Sequence, residues 1–340
     1  MNMHELESVA QAMVAPGKGI LAADESFGTI KKRLASINLE STEEYRRSYR
    51  ELLFTTPGVE EFISGVIMFD ETIRHKTADG IPFVKVLADR GILPGIKVDK
   101  GTVPLAGYPG EKITEGLDGL RQRLEEYVSL GARFTKWRTV IPIGEGIPTE
   151  YGMKINAYNQ AQYAALSQEA GLVPIVEPEV LMDGDHTLER CEEVTTSTLE
   201  YVFQALHEAG VVFERMVLKP NMIISGKSCP QQASVQEVAE ATIRTLKRTV
   251  PAAVPGIVFL SGGQSPSQAT MHLSAMNAIG GFPWQLSFSY GRALQEETLK
   301  AWKGDPANVP AAQKVFHWRA KLNSLARFGQ YKPEMEAVPA

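Results

Sequence analysis

Eight short apolar segments recur along the chain, each followed by a longer stretch of helical character, and this alternation restricts the fold more than any other feature. The segments are Gly19-Ile20-Leu21-Ala22-Ala23, Gly65 to Phe69, Gly95 to Asp99, Phe134 to Arg138, Leu172 to Val176, Met216 to Leu218, Gly256 to Leu260 and Trp284 to Phe288. After a short polar start, the stretches between them read as helices. They are Thr29 to Phe54, Phe83 to Arg90, Gly116 to Leu130, Tyr151 to Ala170, Leu188 to Ala209, Ser234 to Thr249 and Ser267 to Ala278. Within the first, Ser41-Thr42-Glu43-Glu44 offers an N-cap followed by acids. Helix resumes from Leu294 through Trp302 and from Ala311 to Arg327. Short apolar strands alternating with helices predict a parallel sheet covered by helices. Eight such units predict an α/β fold closed into a (β/α)8 TIM barrel, with additional N- and C-terminal helices. An open doubly wound sheet is the alternative, but it needs a Gly-rich loop after an early strand. No GxGxxG is present, and Gly144-Glu145-Gly146 is too short to stand for one.

The absence of an internal repeat or low-complexity linker favours one domain over residues 1–340. The end, residues 330–340, has no apolar periodicity and is expected to be a mobile tail. A net charge of -5 argues against nucleic acid as the main partner, because that polymer requires a basic surface. Small phosphorylated ligands need only local cations and remain open. Cys191 and Cys229 form no CxxC, so a reducing compartment and no structural disulfide are expected. With no apolar run of membrane-spanning length and no basic or Arg-rich leader at Met1 to Glu7, the expected location is cytoplasmic, with no membrane partner.

In a barrel of this kind, residues at the C-terminal ends of strands face the active-site mouth. Here they are charged at nearly every strand: Asp24, Lys100, Lys136 and Arg138, Glu177 and Glu179, and Lys219. Lys219 ends the apolar run Met216-Val217-Leu218, and Pro220, lacking an N–H, stops the ladder there. A lysine so placed either snorkels to water or sits in a pocket, where burial favours the neutral amine that attacks a carbonyl. The former is the ordinary outcome for an isolated Leu-Lys-Pro, and what weighs against it is the company of the other charges. Lys136 and Arg138 lie two apart and project to one side, as do Glu177 and Glu179 if Pro178 preserves extended geometry. A purely structural ionic network would use the same residues and is compatible with catalysis.

Ser261-Gly262-Gly263 after the seventh strand and Gly291-Arg292 after the eighth combine close backbone approach with a cation, as a phosphate site requires. On the opposite side, Ser26, Thr29, Arg33 and Lys100 supply groups for a second phosphate. Two such sites flanking a nucleophilic lysine imply a bisphosphorylated carbonyl substrate. The six histidines are scattered without HxxxH or HxH spacing, and Asp183-Gly184-Asp185-His186 reads as turn chemistry, so no metal site and no cofactor are assigned.

Taken in order, the motifs Leu21-Ala22-Ala23-Asp24-Glu25-Ser26, Lys97-Val98-Asp99-Lys100-Gly101, Lys136-Trp137-Arg138, Val176-Glu177-Pro178-Glu179, Leu218-Lys219-Pro220-Asn221-Met222, Ser261-Gly262-Gly263-Gln264-Ser265 and Ser289-Tyr290-Gly291-Arg292-Ala293-Leu294 carry a resemblance to the class I, Schiff-base fructose-bisphosphate aldolases, from about residue 10 to about residue 331. The resemblance implies a metal-free lyase of glycolysis and gluconeogenesis. Lys219 would form the Schiff base, Glu177 would act as general acid and base, Asp24 would accept the C4-hydroxyl proton and Lys136 would assist electrostatically. Ser261, Gly262, Gly291 and Arg292 would hold the phosphate at the ketose C1 end. Ser26, Thr29, Arg33, Lys100 and Arg138 would serve the C6 phosphate or the hydroxyls, and Glu179 would line the substrate site. The resemblance also implies a homotetramer.

Animal and plant aldolases of this type have a longer tail ending in a tyrosine that helps exchange the enamine C3 proton, whereas this sequence ends Pro339-Ala340. Tyr331 aligns with the end of the body, so enamine protonation is expected to use Glu177, the substrate phosphate or water. The same chemistry on fructose 1-phosphate or sedoheptulose 1,7-bisphosphate, and a non-catalytic barrel scaffold, are the competing functions.

Overall fold

In a computed structural model, residues 3–337 are described. The strands are β1 (Gly19–Ala23), β2 (Ile63–Met68), β3 (Leu93–Lys97), β4 (Thr102–Pro104), β5 (Lys112–Thr114), β6 (Phe134–Ile141), β7 (Val173–Val180), β8 (Val217–Leu218), β9 (Gly256–Phe259) and β10 (Gln285–Tyr290). Eight of them close a barrel in the order β1-β10-β9-β8-β7-β6-β3-β2. Every pair in the barrel is parallel, which requires a crossover after each strand and accounts for the ring of helices. The antiparallel ribbon β4–β5 stands outside this sheet, between β3 and β6. All eight expected strands form with shifted ends: β6, β7 and β10 run on to Ile141, Val180 and Tyr290, whereas β3 stops at Lys97 and β9 at Phe259.

The inside of the barrel is filled from below. The helix Met3–Met13 lies where the sequence reads as a polar start, yet Leu6, Val9, Ala10 and Met13 recur at helical spacing and are buried. With Val14 they join Ile20, Ala22, Ile67, Phe134, Val173, Ile175, Val217 and Val258 in one cluster that seals the barrel floor. Phe134 dictates its neighbours: a Cβ on Gly95 would lie 2.2 Å from its ring, so only glycine fits there. A second, larger apolar layer joins the outer faces of the strands to the helices.

One expectation changes in detail. The helix anticipated from Thr29 to Phe54 is two helices, Phe27–Ala35 and Glu43–Phe54, parted by a turn in which Asn38 has φ 61°. The second starts at the cap marked in the sequence, with the Thr42 hydroxyl accepting from Tyr45 N. Among the described C-terminal residues, several side chains contact one another and the last long helix. Tyr331 is buried and donates to Glu336 Oε1 at 2.5 Å, Trp318 Nε1 donates to Met335 O, and Arg319 pairs with Glu336. These contacts are aromatic and ionic, so apolar periodicity does not report them. Val338 to Ala340 lie outside the described residues.

Candidate active site

The C-terminal ends of the barrel strands open into a cavity of about 1070 Å³ that contains every residue the sequence marks out. Its floor is a chain of four buried charges. Lys136 Nζ lies 2.7 Å from Asp24 Oδ2 and 2.9 Å from Glu177 Oε2, and Lys219 Nζ lies 3.0 Å from Glu177 Oε1. All four side chains are buried or nearly so. Two acids and two bases balance, which is the condition for burying charge without an unpaired ion.

The positions follow from strand geometry. Lys136 pairs in register with Ile175, and Arg138 with Glu177, so the charges of β6 and β7 stand on adjoining strands at neighbouring levels. Lys219 sits at the end of β8, where its own N–H still donates to Val176 O at 2.8 Å while Pro220 contributes only its carbonyl, to Leu260 N. Asn221 secures the exit by accepting from Val180 N at 3.0 Å.

The charges of the floor act on one another. Burial alone would lower the Lys136 pKa, but the charges of Asp24, Glu177 and Asp99 outweigh it and push that pKa up, so Lys136 is held as a cation. Burial raises Asp24 and Glu177, yet in both cases Lys136 and Lys219 overcome it and hold the carboxyls below their ordinary range. Lys136 thus touches two carboxylates, whereas Lys219 touches one, which it shares. Lys219 is thus the floor lysine with a single carboxylate partner, and that partner is shared with Lys136.

The rims carry the groups expected from the sequence to bind anions. Ser261 is nearly buried, and Gly262 and Gly263 have φ of 55° and 93°, the left-handed turn that presents successive backbone groups to the mouth. The Arg292 guanidinium reaches over this turn to donate to Gly263 O at 2.6 Å. Across the cavity, Ser26 and Thr29 hydroxyls are 3.3 Å apart at the start of their helix, Lys100 is exposed beyond β3, and Arg138 is paired with Glu179. Arg33 lines the same cavity as Ser26, Thr29 and Lys100. It lies beside Gly291, its Nη2 3.6 Å from where a Cβ on that glycine would stand. Closure of the barrel makes β1 and β10 neighbours, which brings the helix after β1 to the loop after β10.

Several residues escaped the sequence reading. Glu25 is buried among Arg33 Nη1 at 2.9 Å, Arg50 Nη2 at 2.5 Å and Gln295 Nε2 at 3.1 Å, and so aims Arg33. Asp99 receives Lys97 Nζ at 2.5 Å, Gly101 N at 3.1 Å and Arg138 N at 3.2 Å, which ties the ends of β3 and β6. Both sit inside motifs quoted for the resemblance; Asp99 adjoins Lys100 at a strand end, whereas Glu25 lies between Asp24 and Ser26 with no adjacent base to mark it. Cys191 and Cys229 are free and buried. Among the described residues no group of three or more His, Cys, Asp or Glu side chains is placed to share a metal ion.

The family profile described as fructose-bisphosphate aldolase class-I matches residues 5–339. The chain belongs to the class I fructose-bisphosphate aldolase family. It is 60% identical over 333 residues to a probable fructose-bisphosphate aldolase class 1 of Xanthomonas campestris, covering 98% of this chain and all of that one. Identity to the cytosolic fructose-bisphosphate aldolase 4 of Arabidopsis thaliana is 54%, over 98% of this chain and 85% of the relative. The structure is similar to that of Plasmodium falciparum fructose-bisphosphate aldolase, solved in complex with TRAP and a small molecule inhibitor. The TM-score is 0.96 at 52% identity, covering 97% of this chain and 95% of that one. Family membership and the closed barrel agree with the fold and family expected from the sequence.

Proposed function

We propose that this chain catalyses the reversible aldol cleavage of fructose 1,6-bisphosphate to dihydroxyacetone phosphate and glyceraldehyde 3-phosphate, with Lys219 as the Schiff-base residue. The observation that carries the assignment is the sharing of Glu177 between a lysine locked as a cation and a second lysine at the same cavity floor.

The Lys219 amine adds to the ketone carbon to give a carbinolamine. Glu177, 3.0 Å from Nζ, takes the proton that the Lys219 ammonium sheds on addition and returns it to the carbinolamine hydroxyl, which leaves as water, and an iminium remains. Asp24 then takes the C4-hydroxyl proton. As the C4 carbonyl forms, the C3–C4 bond breaks and its electron pair passes to the iminium nitrogen as an enamine. The iminium is the electron sink, so the step needs no metal. Lys136 stabilises the developing charge between Asp24 and Glu177. Protonation at C3 and hydrolysis, again with Glu177, release the second product and restore the amine.

Ser261, Gly262, Gly291 and Arg292 hold the C1 phosphate, and the position of Arg33 beside Gly291 favours its joining them. Ser26, Thr29, Lys100 and Arg138 serve the C6 end, with Glu179 orienting Arg138. Residues 1–340 act as one barrel domain. The chain works in the cytoplasm as a homo-oligomer, a tetramer by family resemblance, and the naming of a relative as cytosolic supports that location. Among the described residues no helix is long and apolar enough to cross a membrane.

Borohydride added to the protein with dihydroxyacetone phosphate, in the presence of a chelator, tests the assignment. A stable mass increment on the Lys219 peptide is expected. Its absence, or its appearance on Lys136, overturns the mechanism. Relative rates on fructose 1-phosphate and sedoheptulose 1,7-bisphosphate then separate the alternative substrates.

A further inference from the structure

Two loops of the mouth are zipped together outside the residues that carry the proposed chemistry. The loop after β8 lies on the loop after β7: Gly226 N donates to His186 O and Lys227 N to Met182 O, both at 2.8 Å, and Ser228 N donates to Gly184 O at 2.9 Å. The approach is so close that a Cβ on Gly226 would stand 2.4 Å from Gly184 O. This ladder fixes the backbone of Lys227 while its side chain remains half exposed and pairs with Asp183 at 3.0 Å. The same Nζ lies 3.0 Å from the position a Cβ on Gly263 would occupy. An ammonium is therefore held over the glycine turn, and both Lys227 and Asp183 line the cavity with Ser261 and Gly262.

Resting on the Schiff-base reading above, we infer that Lys227 is a further binding cation for the phosphate at the ketose C1 end, with Asp183 as its counter-ion when no substrate is bound. Asp183 is mostly exposed, and an exposed ion pair is weak, so the lysine is readily surrendered. A phosphate on the Ser261–Gly263 turn offers more charge and several acceptor oxygens to the three ammonium donors. The exchange needs rotation of the lysine stem only, because the backbone is already placed.

The condensation reaction separates the two ends of the substrate. Dihydroxyacetone phosphate carries the phosphate that becomes C1, and glyceraldehyde 3-phosphate carries the one that becomes C6. Lys227→Gln is expected to raise KM for dihydroxyacetone phosphate about tenfold, the worth of one charge-assisted contact, with kcat and KM for the aldehyde unchanged. Lys227→Arg keeps most of the wild-type value, and Asp183→Asn, which frees the lysine, lowers KM for dihydroxyacetone phosphate. An unchanged KM in Lys227→Gln, an equal rise for both substrates, or a rise in Asp183→Asn overturns the inference. Borohydride trapping of wild-type protein beside these assays keeps the readings apart. No wild-type adduct on Lys219 overturns the Schiff-base reading, whereas a normal adduct with an unmoved KM overturns only the role of Lys227.

Discussion

The floor and the mouth of the barrel are built from the same faces of the same strands, and they could hardly differ more in chemistry. On β6 the inward positions run from Phe134 to Lys136, on β7 from Ile175 to Glu177, at the end of β8 from Val217 to Lys219, and on β1 from Ala22 to Asp24 just beyond it. A step of two residues, about 7 Å along a strand, separates hydrocarbon from ion. The apolar half is closed by the helix Met3–Met13, so its side chains meet only each other. The polar half opens to the cavity, and its four buried charges are arranged in alternation of sign. The difference teaches that the floor supplies rigidity and the mouth supplies chemistry. Substitutions in the two regions should therefore fail in different assays.

The largest effect is expected at Lys219. Lys219→Ala removes the proposed nucleophile, and kcat should fall by roughly 10⁴-fold or more with no borohydride adduct. Because Glu177 keeps Lys136 as a partner, the thermal unfolding midpoint should stay near that of the parent protein. Glu177→Gln comes next. Loss of the proton shuttle is expected to cost about 10²- to 10⁴-fold in kcat, and single-turnover adduct formation should slow in parallel. If the adduct formed at the normal rate while turnover dropped, Glu177 would act after imine formation. At the floor, Phe134→Ala should instead lower stability by about 3–5 kcal/mol in urea titration, since its ring is wholly buried and fills the space over Gly95. The folded fraction should keep a near-normal kcat. A kcat loss matching that of Glu177→Gln would erase the division between the two regions.

Much of this division is legible in the order of residues along the chain. The eight apolar runs announce the barrel because a buried parallel strand has a distinctive composition, and the charges announce the mouth because they fall at the ends of those runs. What the sequence conceals is what depends on closure. Arg33 is grouped with Lys100 along the chain, and that it also stands beside Gly291 follows from β1 meeting β10. The helix Met3–Met13 reads as polar because its buried residues are interleaved with Glu5, Glu7 and Ser8, and only the barrel floor shows which face matters. Lys227 reads as one lysine in a Gly-Lys-Ser loop. Its nearness to Gly263 arises from hydrogen bonds between loops some forty residues apart in the chain, a separation at which no local pattern operates.

The smallest expected effect lies where floor-like burial supports a mouth-like function. His272, on the helix Pro266–Ile279, is buried with its Nδ1 2.6 Å from Gln264 Oε1. An amide oxygen only accepts, so Nδ1 carries the proton, and the amide is oriented for Nε2 to donate to Ser261 O at 3.0 Å. The Ser261–Gly263 turn, proposed above to hold phosphate, is thus braced from behind by a neutral imidazole. Burial pushes the His272 pKa down to about 4, against about 6.5 in an unfolded chain. Between these values the unfolded state binds more protons, so the contribution is fully present above pH 6.5 and is lost as pH falls toward and through 4. The pH-dependent part amounts to at most about 3 kcal/mol. His272→Asn preserves an N–H donor without the titration. Urea unfolding at pH 7, 5.5 and 4.5 should show the wild type losing stability more steeply than the variant, while both keep a similar KM for dihydroxyacetone phosphate at pH 7. Parallel stability curves would remove His272 from the account of acid sensitivity, and a raised KM in the variant with an unchanged pH slope would assign it to bracing alone.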